Sequence, residues 1–427
     1  MTHPRSAQET YIQHLCFAST KAAVLFKTSL ALLIHGILPF YFVNYTTDKI
    51  NQLSKILSKR KSFLINKLSD TLRIPSLETD PMETVSHRAG LDEKNNNSSA
   101  LIGDQPSTLS ILDFVGNTPI LPLLRFNPNL SCKLHVKCEM FNPTLSIKDR
   151  IVLSMIKHYE QIGTLRPGAT IYEASSGNTG GSLAMIASLL GYNVVIIVPK
   201  KTSQEKINIM RIYGATVIIC EGTTSADSPE HYTNKAKILS EKEPGSLYFN
   251  QYGNDENAHT HYRSTAVEIW KQMNGNIDYL IAPASSGGTI TGIGRFMKEK
   301  NPNIKIILPD PIGSIFYDYF HGNELAIKSY EVEGAGKDKI CDIHDFSVID
   351  DVIQFTDEEA FHAVKRLATT EGLLVGGSSG GALVVAEKLT KKILCKQANI
   401  VVILPDSGIK YLSKMSSCLL NQEIHHL

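Results

Sequence analysis

From Leu109 to about Met415, short apolar runs alternate with longer runs at helical spacing, and this pattern restricts the fold more than any other feature of the chain. Leu134–Cys138, Thr170–Ala174, Val194–Val198, Thr216–Cys220, Leu247–Asn250, Tyr279–Ala282, Ile304–Leu308 and Ile400–Leu404 read as strands. Helices are expected between them, among others at Ile147–Ile162, Thr179–Leu190, Gln204–Tyr213, His259–Met273, Ile290–Lys300, Asp357–Thr370 and Ala382–Lys392. Strands separated by helices at this spacing imply parallel sheets with both faces covered, hence an α/β fold. Ligands of such folds sit beyond the carboxyl ends of strands, where loops meet helix N-termini.

Bulk composition narrows the function. A chain of 427 residues has room for two or three domains. A net charge of +1 gives no reason to expect nucleic acid as a partner. The seven cysteines are odd in number and never form a CxxC pair. They suit neither a disulfide framework nor a metal cluster, and a reducing, cytoplasmic compartment fits them best.

Four short stretches carry chemistry. Ser146-Ile147-Lys148-Asp149-Arg150 places a lysine where a helix is about to start. A lysine amine condenses with an aldehyde only when part of it is neutral, so a buried position suits that role. Ser175-Ser176-Gly177-Asn178-Thr179-Gly180 is a strand-to-helix turn whose amides and hydroxyls can bind a carboxylate, with Asn178 adding a side-chain donor. Ser285-Ser286-Gly287-Gly288-Thr289 is a second such turn, small enough for amides to close around a phosphate. No Walker lysine follows its glycines, which argues against a nucleoside triphosphate. Gly376-Gly377-Ser378-Ser379-Gly380-Gly381 is a third, and Ser378 could meet a pyridine nitrogen. Together they suggest a pyridoxal 5′-phosphate site; singly, each reads equally as an ordinary helix start.

The first 108 residues differ. Residues 1–75 form an N-terminal extension in which residues 28–45 are free of Asp, Glu, Lys and Arg. Two readings stay open for that run, a buried or interfacial helix and a membrane anchor. Lys49 to Arg73 then reads as a basic amphipathic helix, so residues 28–73 could contact a membrane. Residues 76–108 are polar and read as a flexible linker before a catalytic domain at 109–416.

The four motifs, with Gly116-Asn117-Thr118-Pro119 and Leu404-Pro405-Asp406-Ser407-Gly408, closely resemble the fold-type II pyridoxal phosphate enzymes of the cysteine synthase and cystathionine β-synthase family. The resemblance implies the tryptophan synthase β-like fold with two subdomains, the smaller and mobile one at about residues 133–252. It implies that Lys148 binds the cofactor aldehyde and that Asn178 contacts the ring hydroxyl. Ser285, Ser286, Gly287, Gly288 and Thr289 would cradle the phosphate, and Ser378 would face the ring nitrogen. Ser175, Ser176, Gly177 and Thr179, helped by Gln251, would bind the substrate carboxylate. A homodimer is also implied.

Ser203-Gln204-Glu205-Lys206, Asp227-Ser228-Pro229-Glu230, Val332-Glu333-Gly334-Ala335-Gly336 and Leu373 to Ser378 lean towards the cystathionine β-synthase branch. Departures lie at Thr144-Leu145, where the family usually has two glycines, at Ser285-Ser286, at Ile312 and at Lys337, where animal cystathionine synthases carry a substrate-site tyrosine. The N-terminal region lacks the Cys-Pro-Trp haem segment, and little chain follows Asp406 for a regulatory module. The expected activity is β-replacement on serine or an activated serine, with homocysteine giving cystathionine. One alternative is cysteine synthesis from O-acetylserine and sulfide. Another, of a different class, is a catalytically inactive, membrane-tethered interaction protein.

Overall fold

The chain divides into two units, residues 1–100 and residues 101–427. The computed structural model describes residues 109–126, 132–200, 202–220, 228–393 and 397–419, all in the second unit. The apolar run 28–45, the basic segment 49–73 and the expected linker therefore lie outside the described residues. Among the described residues, no helix is long and apolar enough to cross a membrane.

Ten strands occur in chain order: β1 Ile120–Pro122, β2 Lys133–Cys138, β3 Thr170–Ala174, β4 Asn193–Pro199, β5 Thr216–Cys220, β6 Leu247–Tyr248, β7 Tyr279–Ile281, β8 Lys305–Pro311, β9 Asp351–Phe355 and β10 Asn399–Leu404. The helices are α1 Lys148–Gln161, α2 Asn178–Leu189, α3 Gln204–Ile212, α4 Tyr232–Lys242, α5 Glu256–Arg263, α6 Thr265–Gln272, α7 Gly288–Lys300, α8 Phe316–His321, α9 Asp357–Glu371, α10 Gly377–Lys392 and α11 Leu412–Leu419. Six strands form one sheet in the order β1-β2-β10-β7-β8-β9, and four form another in the order β5-β4-β3-β6. All pairings are parallel except β1 on β2.

Strand β10 shows why the apolar runs are continuous rather than alternating. Ile400, Val402 and Leu404 pack into one core with α9 and α10, whereas Val401 and Ile403 pack into another with α6 and α7. Both faces are dry, so every position from Ile400 to Leu404 is apolar. Each such side chain contributes about 1.5–3 kcal/mol of transfer free energy. The smaller sheet is built likewise. Ile171, Val194 and Ile196 meet α1, α2 and α3 on one face, and Tyr172, Ala174 and Ile197 meet α4 on the other.

Several expectations need correction. The smaller sheet begins at Thr170, and β2, placed in the 133–252 subdomain, instead belongs to the larger sheet between β1 and β10. The helix expected at His259–Met273 is two, α5 and α6, because Ser264 leaves helical geometry (φ −120°, ψ −72°). The Thr260 and Ser264 hydroxyls bond back to the carbonyls of Glu256 and Thr260, which bends a helix. The third small-residue turn is already helical from Gly377, five residues before the expected start at Ala382. Its glycines serve packing: a Cβ on Gly380 would lie 2.1 Å from the Ala360 carbonyl oxygen, and one on Gly381 would lie 2.3 Å from the Phe355 ring. Edge strands β1 and β9 escaped the sequence reading, as short strands at sheet margins carry little periodicity.

Candidate active site

Lys148 opens α1 and is held from both sides of the chain. Ile147 N–H donates to the Pro405 carbonyl (2.8 Å), and Ser407 N–H donates to the Leu145 carbonyl (3.1 Å). Ser146 also bridges Asp406 in antiparallel fashion. Two residues further on, the Arg150 guanidinium is paired with Glu139 (2.6 Å) and Glu268 (2.7 Å), and Glu268 also pairs with the buried Lys137 (2.7 Å). This network ties the start of α1 to β2 and α6, so the lysine is fixed by two independent anchors. Leu145, where the resembled family has glycine, takes a left-handed backbone (φ +60°), at a cost of about 1–2 kcal/mol for a residue with a side chain. Thr144 is recruited: its amide donates to Asp149 Oδ2 (2.7 Å), while Ser182 Oγ donates to Asp149 Oδ1 (2.6 Å).

Burial acts on the Lys148 amine more strongly than the attraction of Asp406, and lowers its pKa from 10.5 to about 8. Near neutrality roughly a tenth of the amine is then neutral, against well under a thousandth at the ordinary value. The sign is testable. Apo-protein mixed with pyridoxal phosphate should bind it covalently at a rate that climbs with pH and levels off above about 8. Stopped-flow absorbance would follow it, and a rate still climbing at the ordinary lysine pKa would contradict the assigned environment.

The Ser175–Gly180 turn lies between β3 and α2. Ser175 Oγ accepts from the Gly180 amide (3.1 Å), which leaves its own hydrogen for an outside acceptor. Ser176 and Gly177 are half-buried. Thr179 Oγ1 donates to Gln251 Oε1 (2.6 Å), and Gln251 Nε2 donates to Glu173 Oε1 (3.1 Å). The structure thus joins two predicted residues, Thr179 and Gln251, to one that went unnoticed. Burial pushes the Glu173 carboxyl up to about 8, against the opposing bonds from Gln251 and Asn250, so it is largely protonated at neutral pH. Its Oε2 has no hydrogen-bond partner. A carboxylate at the end of the otherwise apolar strand TIYEA was the available signal.

Asn178 is held by the C-terminal motif. Its Nδ2 donates to Asp406 Oδ2 (2.6 Å) and to the Tyr411 hydroxyl (3.2 Å), and its Oδ1 accepts from Lys410 Nζ (2.8 Å). Asp406 keeps one buried oxygen, Oδ1, unpartnered. Lys410 and Tyr411 were not foreseen, since nothing local marks them.

Ser285 to Thr289 leads into α7. Gly287 has φ +92° and Gly288 opens the helix. A Cβ would lie 2.7 Å from the His344 ring at the first and 2.0 Å from Asn257 Oδ1 at the second. Only glycine fits this cradle, and amides at a helix N-terminus favour a phosphate. Ser286 and Thr289 are buried, with Ser286 Oγ accepting from Asn257 Nδ2 (3.3 Å) and Thr289 Oγ1 bonded to His261 Nε2 (3.2 Å). Ser378 is buried in the first turn of α10, and a Cβ on Gly334 would lie 3.5 Å from its Oγ. A partly neutral lysine and a glycine-only anion cradle fit the expected cofactor.

Comparison with known proteins bears on the same residues. A family model described as "Pyridoxal-phosphate dependent enzyme" matches residues 111–406, and one for a family of unknown function matches residues 1–60. The cystathionine β-synthase of Apis mellifera is 45% identical over 309 residues, covering 72% of this chain and 61% of that protein. The chain thus spans about three fifths of that relative's length. The O-acetylserine dependent cystathionine β-synthase of Bacillus subtilis is 38% identical and is covered over 96% of its length by 71% of this chain. Among solved structures, an O-ureido-L-serine synthase superposes with a TM-score of 0.68 at 30% identity, over 74% of this chain and 96% of that one.

Proposed function

The chain belongs to the pyridoxal-phosphate dependent enzyme family, and from that premise we propose that it catalyses β-replacement on serine or an activated serine, joining it to homocysteine to give cystathionine. When bound, the cofactor supplies an electron sink that acidifies the substrate α-proton and lets the β-substituent depart. The observation that carries the reading is the partly neutral amine of Lys148, on a segment bonded to Pro405 and Ser407, whose neighbour Asp406 holds Asn178 at the start of α2.

Lys148 Nζ would hold the cofactor aldehyde and, as a free amine, would take the substrate α-proton as general base. An amine with a pKa of about 8 is suited to both tasks. Ser285, Ser286, Gly287, Gly288 and Thr289 hold the phosphate with amides and hydroxyls, aided by the α7 dipole. Ser378 would offer a neutral hydroxyl to the ring nitrogen. Asn178 would contact the ring hydroxyl, its carboxamide oriented by Asp406, Lys410 and Tyr411. Ser175, Ser176, Gly177 and Thr179 bind the substrate carboxylate, with Gln251 braced by Glu173. The body built on the smaller sheet closes over the substrate and excludes water. A cytoplasmic homodimer acting on small amino acids belongs to the same reading.

The likeness to an O-acetylserine dependent relative supports an activated serine as one first substrate. Two assays decide: serine with homocysteine, and O-acetylserine with sulfide, with products separated by chromatography. Cystathionine in the first supports the proposal. Cysteine alone, from the second, favours cysteine synthesis. No product in either leaves the inactive, tethered alternative.

A further inference from the structure

The loop after Val332 runs through the site, and its lysine has no counterpart in the chemistry described so far. Gly336 N–H donates to the carbonyl of Ala284, the residue before the Ser285–Thr289 cradle (2.8 Å). Lys337 N–H donates to Ser314 Oγ (3.0 Å), and the Lys337 carbonyl accepts from the Ile315 amide (3.0 Å). The same loop passes Ser378 at Gly334 and reaches α3 through the Glu333–Lys206 pair (2.6 Å). Its backbone is therefore fixed at the edge of the cofactor and substrate turns.

From that position the half-buried Lys337 side chain extends to Tyr252, with Nζ 4.2 Å from the ring centroid. Tyr252 directly follows Gln251, which is bonded to Thr179 of the carboxylate turn. Among the described residues, the Lys337 ammonium has no carboxylate within ion-pair distance, and the neighbouring Asp338 does not supply one. A tyrosine face orients a cation and partly replaces its water, but leaves its donors unused. A half-buried ammonium with unused donors, beside the turn that takes the first substrate, is arranged for a second anion.

We infer that Lys337 binds the carboxylate of the incoming thiol, and so selects an amino-acid thiol over a neutral one. The inference rests on the β-replacement reading above. Lys337 is a specificity-determining residue in it, with no part in moving the α-proton.

The test uses two thiols that cannot condense with the cofactor: 4-mercaptobutyrate, which is homocysteine without its amine, and neutral 3-mercaptopropan-1-ol. Binding to holoenzyme is measured by calorimetry, and turnover with serine is measured alongside. Wild type should favour the mercaptobutyrate by about 10- to 100-fold, the range of one charge-assisted hydrogen bond. Lys337→Met should lose that preference through weaker mercaptobutyrate binding alone, with serine KM unchanged, and Lys337→Arg should keep most of it. Equal preference in wild type and Lys337→Met overturns the inference, even where turnover is normal. Selective binding that Lys337→Met abolishes supports the anion site even where no thiol is turned over, an outcome that defeats the β-replacement reading alone.

Discussion

Lys148→Ala should give a folded protein without the visible absorbance of lysine-linked cofactor, and with turnover lower by at least about 10³-fold. The size follows from losing one group with two tasks, since a positioned general base alone contributes about 10²–10⁴-fold. Folding should survive, because burial disfavours the ammonium that the substitution removes. The anchors at Ser146, Ile147 and Arg150 also stay in place. Pyridoxal phosphate should still bind by its phosphate, since the cradle at Ser285 to Thr289 is untouched. Absorbance, circular dichroism and product assays on one preparation would check all three points. Unchanged visible absorbance in the variant would remove Lys148 from its role.

Arg150→Leu should destabilise the protein by about 3–5 kcal/mol, the usual cost of removing one partner from a buried ion pair. Arg150 Nε lies 2.6 Å from Glu139 Oε2, with both side chains almost wholly buried. Without the guanidinium, Glu139 keeps only the Thr118 hydroxyl (2.6 Å) and Asn142 Nδ2 (2.8 Å), both neutral donors. Glu268 would keep Lys137 and lose its two bonds to Arg150 (2.7 and 2.8 Å). Burial alone would raise the Glu268 carboxyl, but Arg150 and Lys137 outweigh it and hold it at about 2. That contribution is fully present above its ordinary value of 4.5 and is lost as pH falls towards 2, so the variant should also resist acid relatively better. Chemical denaturation measures the loss. Replacing Glu139 by Leu as well should recover part of it, because a paired apolar replacement leaves no uncompensated charge. A single variant within about 1 kcal/mol of wild type would contradict the role given to the network.

Much of the fold was legible because the inner strands of each sheet are buried on both faces. Runs such as Thr170–Ala174 and Thr216–Cys220 had the same limits in sequence and structure, as runs rich in β-branched and apolar residues between turns leave little choice. The edge strands β1 and β9, the break at Ser264 and the early start of α10 were not read from the sequence. The start of α10 depends on neighbours distant in sequence, as Gly380 does on the Ala360 carbonyl. The site divides the same way. Lys148 and the three small-residue turns became candidates jointly, since each alone reads as an ordinary helix start. Asn257, Lys410 and Tyr411 enter only by tertiary contact, and no spacing rule reaches from Asn178 to Tyr411. Lys337 was visible as a departure from the family pattern; its place over Tyr252 was not.

The central claim is one covalent link, and reduction makes it permanent. Borohydride treatment of the holoenzyme, followed by digestion and mass spectrometry, should find a pyridoxyl group on the peptide carrying Lys148. The same group on a different lysine, or on none, would contradict the account.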